Sequence, residues 1–326
     1  MTVSQVRDDR TIESVAASGE EIRAATAPGT RRRRSRRDDS FWGALLLTPY
    51  ALGLLAFVLI PTIAAVVISF TNWDLLGEIH FIGLANYVQM FTSADFWQVA
   101  GNTAYYTIVV VPLSIAVGLG LAVLLNRRTP GMHIFRSLLF LPVTVPVVAS
   151  GLLWSWMMTP DYGLINYLLG LVGIPHQPWL TGVHTAMPSI ILVGIWRSAG
   201  LNVVLFLAAL QGIDRSVLEA AALDGAGAWR TFVRVVVPLI TPTLFFATII
   251  SLISSFQVFD QTYVMTQGGP NDQTMTFIYY IFLQGFTFLH MGYSSAVSTV
   301  FTIVVFALTL VAIKYQRFWV YYTEGE

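Results

Sequence analysis

The chain has 326 residues, of which 55% are hydrophobic and only 11% are charged, and its mean hydropathy is +0.67. These values lie outside the range of soluble globular proteins and indicate an all-α protein that crosses a membrane several times. The formal net charge is zero, and the absence of cysteine excludes disulfides and thiolate metal sites.

The basic residues are almost all arginine, and Lys314 is the only lysine. A phosphate-binding loop ends in Gly-Lys-Ser or Gly-Lys-Thr, whereas Lys314 stands in Ala-Ile-Lys-Tyr. The sequence therefore excludes a P-loop, and any ATP that drives this chain must be bound, with Mg²⁺, by another subunit. We expect no cofactor and no metal on this chain, because the five histidines show no ligand spacing.

The first 40 residues are polar and end in a basic run from Arg31 to Arg37 that only Ser35 interrupts. No apolar segment precedes this run, so we do not expect a cleaved signal peptide. Residues 1–40 are predicted to be a disordered cytoplasmic tail whose arginines lie beside anionic membrane lipid. Such a run could also bind nucleic acid or carry a sorting address, but we favour the lipid anchor and expect no nucleic-acid partner.

Six apolar stretches are long enough to cross a bilayer, which takes about 20 helical residues. They lie near residues 42–70, 103–125, 134–158, 187–210, 239–261 and 294–315. We expect them to form one transmembrane domain over residues 41–320, followed by a short cytoplasmic tail, 321–326. In the second stretch Ala116 with Gly120, and Gly118 with Ala122, form small-residue faces that predict close helix contacts.

The loops between the predicted spans differ in charge. Residues 71–102, 159–186 and 262–293 contain neither lysine nor arginine, whereas the loops between them carry arginine. Because cytoplasmic loops are enriched in Lys and Arg, this pattern places both termini in the cytoplasm. Two apolar pieces on the outer side, residues 164–174 and 274–290, are predicted to be interfacial or partly buried helices.

The loop between the fourth and fifth predicted spans, residues 211–238, has the pattern of two helices rather than of a simple turn. Asp214 is a predicted N-cap for a helix with an apolar face at helical spacing. Gly225 can take the positive φ that ends this helix, and a second helical segment would run until Pro238 begins the next span. This arrangement on a cytoplasmic loop predicts a docking element for a partner that hydrolyses nucleotide.

The same loop resembles the signature of ABC-importer permeases, in which Glu-Ala-Ala is followed by a glycine and, nine residues later, by aliphatic-x-aliphatic-Pro. The matching residues here are Glu219, Ala220, Ala221, Gly225, Val235, Val237 and Pro238. Other segments, among them Phe81 to Tyr87, Pro160 to Gly163 and Thr266 to Pro270, are similar to the first permease of carbohydrate importers of the maltose or glycerol-phosphate type. That group usually has glycine where Gln267 stands. The resemblance covers nearly the whole chain from Phe41 onward.

The resemblance implies a type I ABC-importer permease fold with six transmembrane helices, in a bacterial plasma (inner) membrane. Such a permease is not an enzyme. It pairs with a second homologous permease, two ATP-binding cassette ATPase subunits and an extracytoplasmic solute-binding protein. In the family this loop inserts into a cleft on the ATPase, and the implied coupling residues are Glu219, Ala220, Ala221, Asp224, Gly225 and Pro238. The cargo would be a carbohydrate or a related polyol.

Polar side chains inside the spans are the candidates for the substrate path. A charge in the middle of a bilayer costs about 2.5–3.5 kcal/mol on insertion scales, so it usually faces protein or water. The charged candidates are Arg197 and Asp260, and the neutral polar ones are Asn202, Gln257, Ser254 and Ser255. The aromatic Phe256 is a further candidate. Sugars also need flat aromatic faces, which Trp154, Trp196, Phe256, Phe259 and Tyr263 could supply. Alternatively, Arg197 and Asp260 lie nearer the outer interface and pair with each other or with the sister subunit.

An ion-coupled secondary transporter is the alternative function. It would need an embedded carboxylate relay, and such transporters often contain inverted repeats. Asp260 is the only acidic candidate, and no internal repeat is visible. A membrane enzyme is disfavoured because the sequence has neither a Gly-x-Ser-x-Gly elbow nor a metal-binding motif.

Overall fold

Helices form nearly all of the chain that the computed structural model describes, residues 36–126 and 130–321, with side chains from residue 45 onward. The predicted tail 1–40 lies almost wholly outside these residues, as does the tail 321–326 apart from Tyr321. Within them the one pairing of extended backbone is an isolated antiparallel bridge between Thr71 and Phe81. The all-α class predicted from composition is therefore confirmed.

The chain divides into two units, residues 1–62 and 63–326. The first contains helix α1, Arg36–Leu54, and a π turn, Leu55–Leu59, and helix α2, Ile60–Ile68, crosses the division. The second unit holds the remaining described helices: α3 Ala85–Thr92, α4 Ala94–Leu125, α5 Met132–Thr144, α6 Val147–Met157, α7 Leu164–Leu171, α8 Ala186–Gln211, α9 Arg215–Leu223, α10 Ala228–Thr231, α11 Val237–Leu239, α12 Thr241–Phe256, α13 Asp260–Met265, α14 Phe277–Phe282 and α15 Met291–Gln316. Two more π turns, Phe232–Val236 and Leu283–Thr287, follow α10 and α14.

Four helical stretches in the described chain are long and apolar enough to cross a membrane: Leu45–Ile68, α4, α8 and α15. Two bent pairs pass the same test together. Helices α5 and α6 meet at 101°, and the segment Ala228–Leu239 meets α12 at 68°. Counting each bent pair as one span gives six, the number that the sequence predicts.

Prolines account for one of the two sharp bends and for two of the three π turns in the described chain. In the predicted span 134–158, Val145 is extended before Pro146, as the residue before a proline tends to be, and the span breaks there into α5 and α6. Pro61 and Pro238 each follow a π turn by two residues. A proline ring collides with the carbonyl four residues earlier in a regular α-helix, and in both cases that carbonyl lies inside the wider π turn.

Several span boundaries differ from the sequence prediction, and α1 begins at Arg36, inside the stretch 1–40 that was predicted to be disordered. Helix α4 begins at Ala94 rather than at residue 103, because Ser93 caps it by accepting a hydrogen bond from the Phe96 N–H. Pro238 does not begin the fifth span. The helix continues through it to Leu239, and α12 starts at Thr241.

The fifth span also ends early, at Phe256 instead of residue 261. Residues 257–259 leave the helix, and α13 begins at Asp260. The Thr276 hydroxyl donates to the Val258 carbonyl at 2.9 Å, which gives a partner to one backbone group that the break releases. A membrane helix can be interrupted where protein groups satisfy the freed backbone in this way.

Close backbone contact joins α4 to α8. A Cβ added at Gly118 would lie 2.5 Å from the Cβ of Asn202, whereas nothing lies within 4 Å of one added at Gly120. Of the two small-residue faces that the sequence offers, the one with Gly118 and Ala122 is therefore the packed face. Ala122 is fully buried beside Val203 and other apolar residues of the α4, α8 and α12 core.

The two apolar pieces predicted outside the spans are helical. Helix α14 buries Phe277, Tyr279 and Tyr280 and is the partly buried one. Helix α7 buries Asn166, whose amide donates to the Pro160 and Gln177 carbonyls at 3.0 Å and so fastens the surrounding loop.

The Gly118 contact predicts opposite effects for two alanine substitutions in one helix. Gly118→Ala should lower the free energy of unfolding by about 1–3 kcal/mol, because the new methyl overpacks against Asn202. Gly120→Ala should leave it unchanged or raise it by about 0.5–1 kcal/mol, since alanine favours the helix and has open space. Denaturant unfolding of the purified protein measures both, and equal effects would contradict the packing.

Candidate functional site

The loop between α8 and α12 begins with a capped helix, as the sequence predicts. The Asp214 carboxylate accepts a hydrogen bond from the Ser216 N–H at 2.9 Å, which confirms the N-cap of α9. Hydrogen bonds from the backbone and the side chain of Ser216 hold the pKa of Asp214 below its usual value. The cap is therefore fully present at neutral pH and is lost as the pH falls through that lowered pKa.

Helix α9 ends in a Schellman motif. The Ala226 N–H donates to the Ala221 carbonyl at 3.0 Å, and the Gly225 N–H donates to the Ala222 carbonyl at 3.1 Å. Gly225 has φ +71°, a conformation that glycine adopts without strain. The predicted glycine turn is confirmed, and both ends of α9 are satisfied within the loop.

The loop presents a mixed apolar and charged surface. Among the predicted coupling residues, Ala221 is buried, Pro238 is half-buried, and Glu219, Ala220, Asp224 and Gly225 are exposed. Two large apolar side chains stand out beside them, since Leu223 is 90% exposed and Trp229 is 77% exposed. Sequence reasoning did not single out Leu223. The available indication was its position directly before Asp224 and Gly225, which end the helix and leave its side chain at the surface. Exposed apolar groups rimmed by charge are typical of a surface that docks a protein.

A polar cavity of about 290 Å³ lies between α4, α6, α8 and the broken end of α12. It brings together five of the predicted path residues, Arg197, Ser254, Ser255, Gln257 and Asp260. Ser251 on α12 also lines it. Because α12 ends at Phe256, the residues that follow present side chains and backbone to this cavity rather than to a continuing helix.

Arg197 and Asp260 line the cavity without pairing with each other. Within the described residues, the ion pair shorter than 4.0 Å joins His80 to Glu78, and Arg197 and Asp260 are not within that distance of each other. One terminal nitrogen of Arg197 is buried and has no hydrogen-bond partner. The intramolecular pairing offered as an alternative is thus not formed, and both charges are available to a group outside this chain.

Two other predicted path residues lie elsewhere. Asn202 is 2% exposed, sits against Gly118, and does not line the cavity. Phe256 packs against Phe301, with ring centroids 6.4 Å apart, in a separate apolar cluster. Both are on the correct helices, but the rotation of each helix turns them away from the cavity.

Of the aromatic candidates, some line the cavity and others lie outside it. Trp154 and Trp196 pack edge to face at 5.4 Å outside the lining, and Phe259 lines the cavity with Tyr263 stacked on it at 5.4 Å. Sequence reasoning missed Tyr106, whose hydroxyl donates to the Gln261 side-chain oxygen at 3.0 Å inside the lining. A tyrosine in an apolar span was the available signal, because its hydroxyl needs a partner there.

The cavity can bind a hydroxylated solute, since it combines hydroxyl, amide, carboxylate and guanidinium groups with the rings of Tyr106 and Phe259. Among the described residues no group of three or more His, Asp or Glu side chains could hold a metal ion.

The glycine turn predicts a contrast between two neighbouring positions. Gly225→Ala should destabilise the end of α9 by about 1–2 kcal/mol, because alanine resists the positive φ. Gly227→Ala should have no such effect, since Gly227 has φ −68° and open space around it. Hydrogen exchange of the Ala226 amide measures this, with exchange about tenfold faster in the first variant. Similar exchange in both would contradict the Schellman turn.

Comparison with known proteins identifies the family. Residues 114–319 match the family described as binding-protein-dependent transport system inner membrane component. The chain is 35% identical to the probable ABC transporter permease protein YesP of Bacillus subtilis, over 92% of this chain and 98% of that protein. It is also 35% identical to the sulfoquinovosyl glycerol transport system permease protein SmoG of Agrobacterium fabrum, over 84% of this chain and 88% of that protein.

A solved structure shares the fold. It is a bacterial ABC transporter involved in the import of the acidic polysaccharide alginate, with a TM-score of 0.77 at 23% identity over 86% of this chain and 96% of that one. The chain therefore belongs to the family of inner-membrane components of binding-protein-dependent transport systems, and it has the fold of an ABC-importer permease.

Proposed function

We propose that this permease forms half of the translocation path of an ATP-driven importer for a carbohydrate or related polyol. The polar cavity between α4, α8 and α12 carries this proposal. Its serines, Gln257 and Asp260 suit the hydroxyl groups of a sugar, and Phe259 offers a face for the C–H surface. The names of a sulfoquinovosyl glycerol permease and an alginate importer among its relatives support a carbohydrate cargo.

The cavity is open on one side. Gln257 and Ser254 line it and are exposed. A second, homologous permease would cover this side and complete the path between the two subunits. Arg197 and Asp260, which lack a partner ion within the described chain, would then face the solute or the sister subunit.

The loop of residues 211–238, which we call the coupling loop, is joined to this cavity by helix α12. Helix α12 has 16 residues, about 24 Å of helix at 1.5 Å per residue, and runs from the loop at Thr241 to the break at Gln257. When two partner ATPases bind ATP and Mg²⁺ and close, they would move the docked surface of Glu219, Leu223 and Trp229. Helix α12 would carry that motion to the cavity and alternate its access.

The loop charges support the orientation that this mechanism needs. Arginine-containing loops, including the coupling loop, would face the cytoplasm together with both termini. The loops without Lys or Arg would face an extracytoplasmic solute-binding protein. The protein would then lie in a bacterial plasma (inner) membrane, and the partner ATPases rather than this chain would bind ATP.

The import activity is testable in the assembled complex. The chain, a second permease, the ATPase and the solute-binding protein are reconstituted in vesicles, and uptake of a panel of radiolabelled sugars and polyols is measured. We expect ATP-dependent accumulation of at least one of them. Uptake driven by a proton or sodium gradient without ATP would instead support the ion-coupled alternative.

Substitutions in the loop should uncouple transport without preventing insertion. Glu219→Lys reverses a charge on the docking surface, and Gly225→Val forbids the turn. Each should lower solute-stimulated ATPase activity about tenfold, the effect of losing about 1.4 kcal/mol of contact. Gly227→Val is the matched control, since its φ is negative and its surroundings are open. Unchanged stimulation in both test variants would remove the docking role.

Substitutions in the cavity should act on solute affinity. Gln257→Ala and Asp260→Ala should each raise the KM of uptake about tenfold, with basal ATPase activity retained, because each removes one solute contact of about 1–2 kcal/mol. Thr302→Ala is the control, since its hydroxyl donates to its own helix at Ser298 and not to the cavity. Uptake kinetics equal to those of the unmodified protein would show that the cavity is not the path.

A further inference from the structure

A second cavity, of about 360 Å³, lies between the first turns of α4 and the segment 267–288. We call it the outer cavity, because the proposed orientation places it on the extracytoplasmic side. It shares no lining residue with the cavity at Arg197. Its polar lining consists of Asp95, Gln98, Gln267, Asp272, Tyr279, Tyr280 and Gln284.

Long-range hydrogen bonds fix the walls of the outer cavity. The Gln98 amide donates to the Asn271 carbonyl at 2.9 Å. The Asn102 amide donates to the carbonyls of Asp272 at 2.7 Å and Met275 at 3.0 Å. These bonds hold the loop against α4, so the cavity is part of the packed structure. Its volume lies in the range of small-molecule sites, about 300–1,000 Å³.

Tyr279 brings an unused hydroxyl to this cavity. The residue is 5% exposed and lines the cavity, and its hydroxyl makes no hydrogen bond with any residue in the described ranges. The neighbouring Tyr280 differs, since its hydroxyl shares a hydrogen bond with that of Tyr293 at 3.1 Å. The Tyr279 hydroxyl is not among the buried unpaired atoms of the described chain, so it is accessible from the cavity and free to bond an occupant.

The backbone of the loop supplies a second, independent indication. Gln267, Asn271 and Asp272 have φ of +51°, +49° and +55°. Asn and Asp tolerate such values, whereas a glutamine rarely adopts them. Gln267 and Asp272 line the cavity. A glutamine held at a glycine-like angle places an amide in the cavity at a cost to the backbone, and strained residues of this kind concentrate at binding sites.

The lining chemistry defines the class of ligand. Two carboxylates can accept hydrogen bonds, three amides can both donate and accept, and the rings of Tyr279 and Phe288 offer apolar faces. No Lys, Arg or His lines the cavity, which disfavours an anion. We propose that the outer cavity binds one unit of a neutral, polyhydroxylated solute such as a sugar, as a second binding site on this chain. This inference rests on the proposed function.

The absence of cysteine from the sequence allows a direct test. Leu283→Cys places a single thiol in the lining, and Thr287→Cys places one on the exposed face of the same π turn, outside the lining. Each full-length variant, in sealed right-side-out vesicles, is modified with a membrane-impermeant maleimide. The rate is measured with and without an excess of trehalose, maltose or lactose, and with tetramethylammonium as a cationic probe.

We expect at least one sugar to slow modification of the Leu283→Cys thiol and to leave the Thr287→Cys thiol unaffected. Adding Tyr279→Phe or Gln267→Gly should raise the sugar concentration needed for protection about tenfold, the effect of one lost hydrogen bond. Gln267→Gly also relieves the backbone, so its effect cannot come from unfolding. Asn271→Gly is the matched control, because it changes a positive-φ residue of the same loop that does not line the cavity.

Four results would overturn the inference: no protection by any of the three sugars, protection by tetramethylammonium alone, protection unaltered by Tyr279→Phe and Gln267→Gly, or a thiol in the lining that the impermeant reagent never reaches. The assay needs neither ATP nor partner subunits. If sugar protects the Leu283→Cys thiol but no ATP-driven uptake is found, the proposed function is rejected and the outer binding site is retained. If uptake is found but sugar does not protect the thiol, the proposed function is retained and the outer binding site is rejected.

Discussion

A membrane interior offers no water to hydrogen-bond a released backbone group, and this constraint decides where the polar site of the permease can be built. The fifth span stops at Phe256, and residues 257–259 leave the helix. The interruption is tolerated because Thr276 gives the Val258 carbonyl a partner and the cavity receives the polar groups around it. Gln257 and Asp260 lie at the cavity because the helix ends there.

The same helix ties the cavity to the coupling loop. Its first residue follows the 68° bend after Leu239, and its last precedes the break at Gln257. A stiff rod with a joint at each end can carry a displacement from one end to the other. The loop that would receive the force is itself well ordered, since its helix α9 is capped at both ends by its own residues. The capped helix α9 gives the ATPases a rigid element to move, and the end of α12 at Phe256 lets that motion change the cavity.

The sequence predicted features that local chemistry decides. The number of spans follows from apolar length, the cap at Asp214 from its side chain, and the turn at Gly225 from the freedom of glycine. Boundaries were less well predicted, because Ser93 begins a helix upstream of the apolar stretch 103–125 and Pro146 breaks a helix inside the stretch 134–158. Asn202 and Phe256 were predicted for the path but do not line the cavity, since a helix's rotation depends on its neighbours. The contact of Tyr106 with Gln261 and the outer cavity were both missed, because each brings together residues that are distant in the sequence.

The central claim is that motion at the coupling loop changes access to the cavity through α12. Ser254→Cys puts a single thiol in that cavity, and its rate of modification in the assembled transporter can be compared with and without ATP. We predict that ATP changes the rate when the loop is unmodified and has no effect when Glu219→Lys is added. A rate that ATP never alters, or an ATP response that survives Glu219→Lys, would contradict the account.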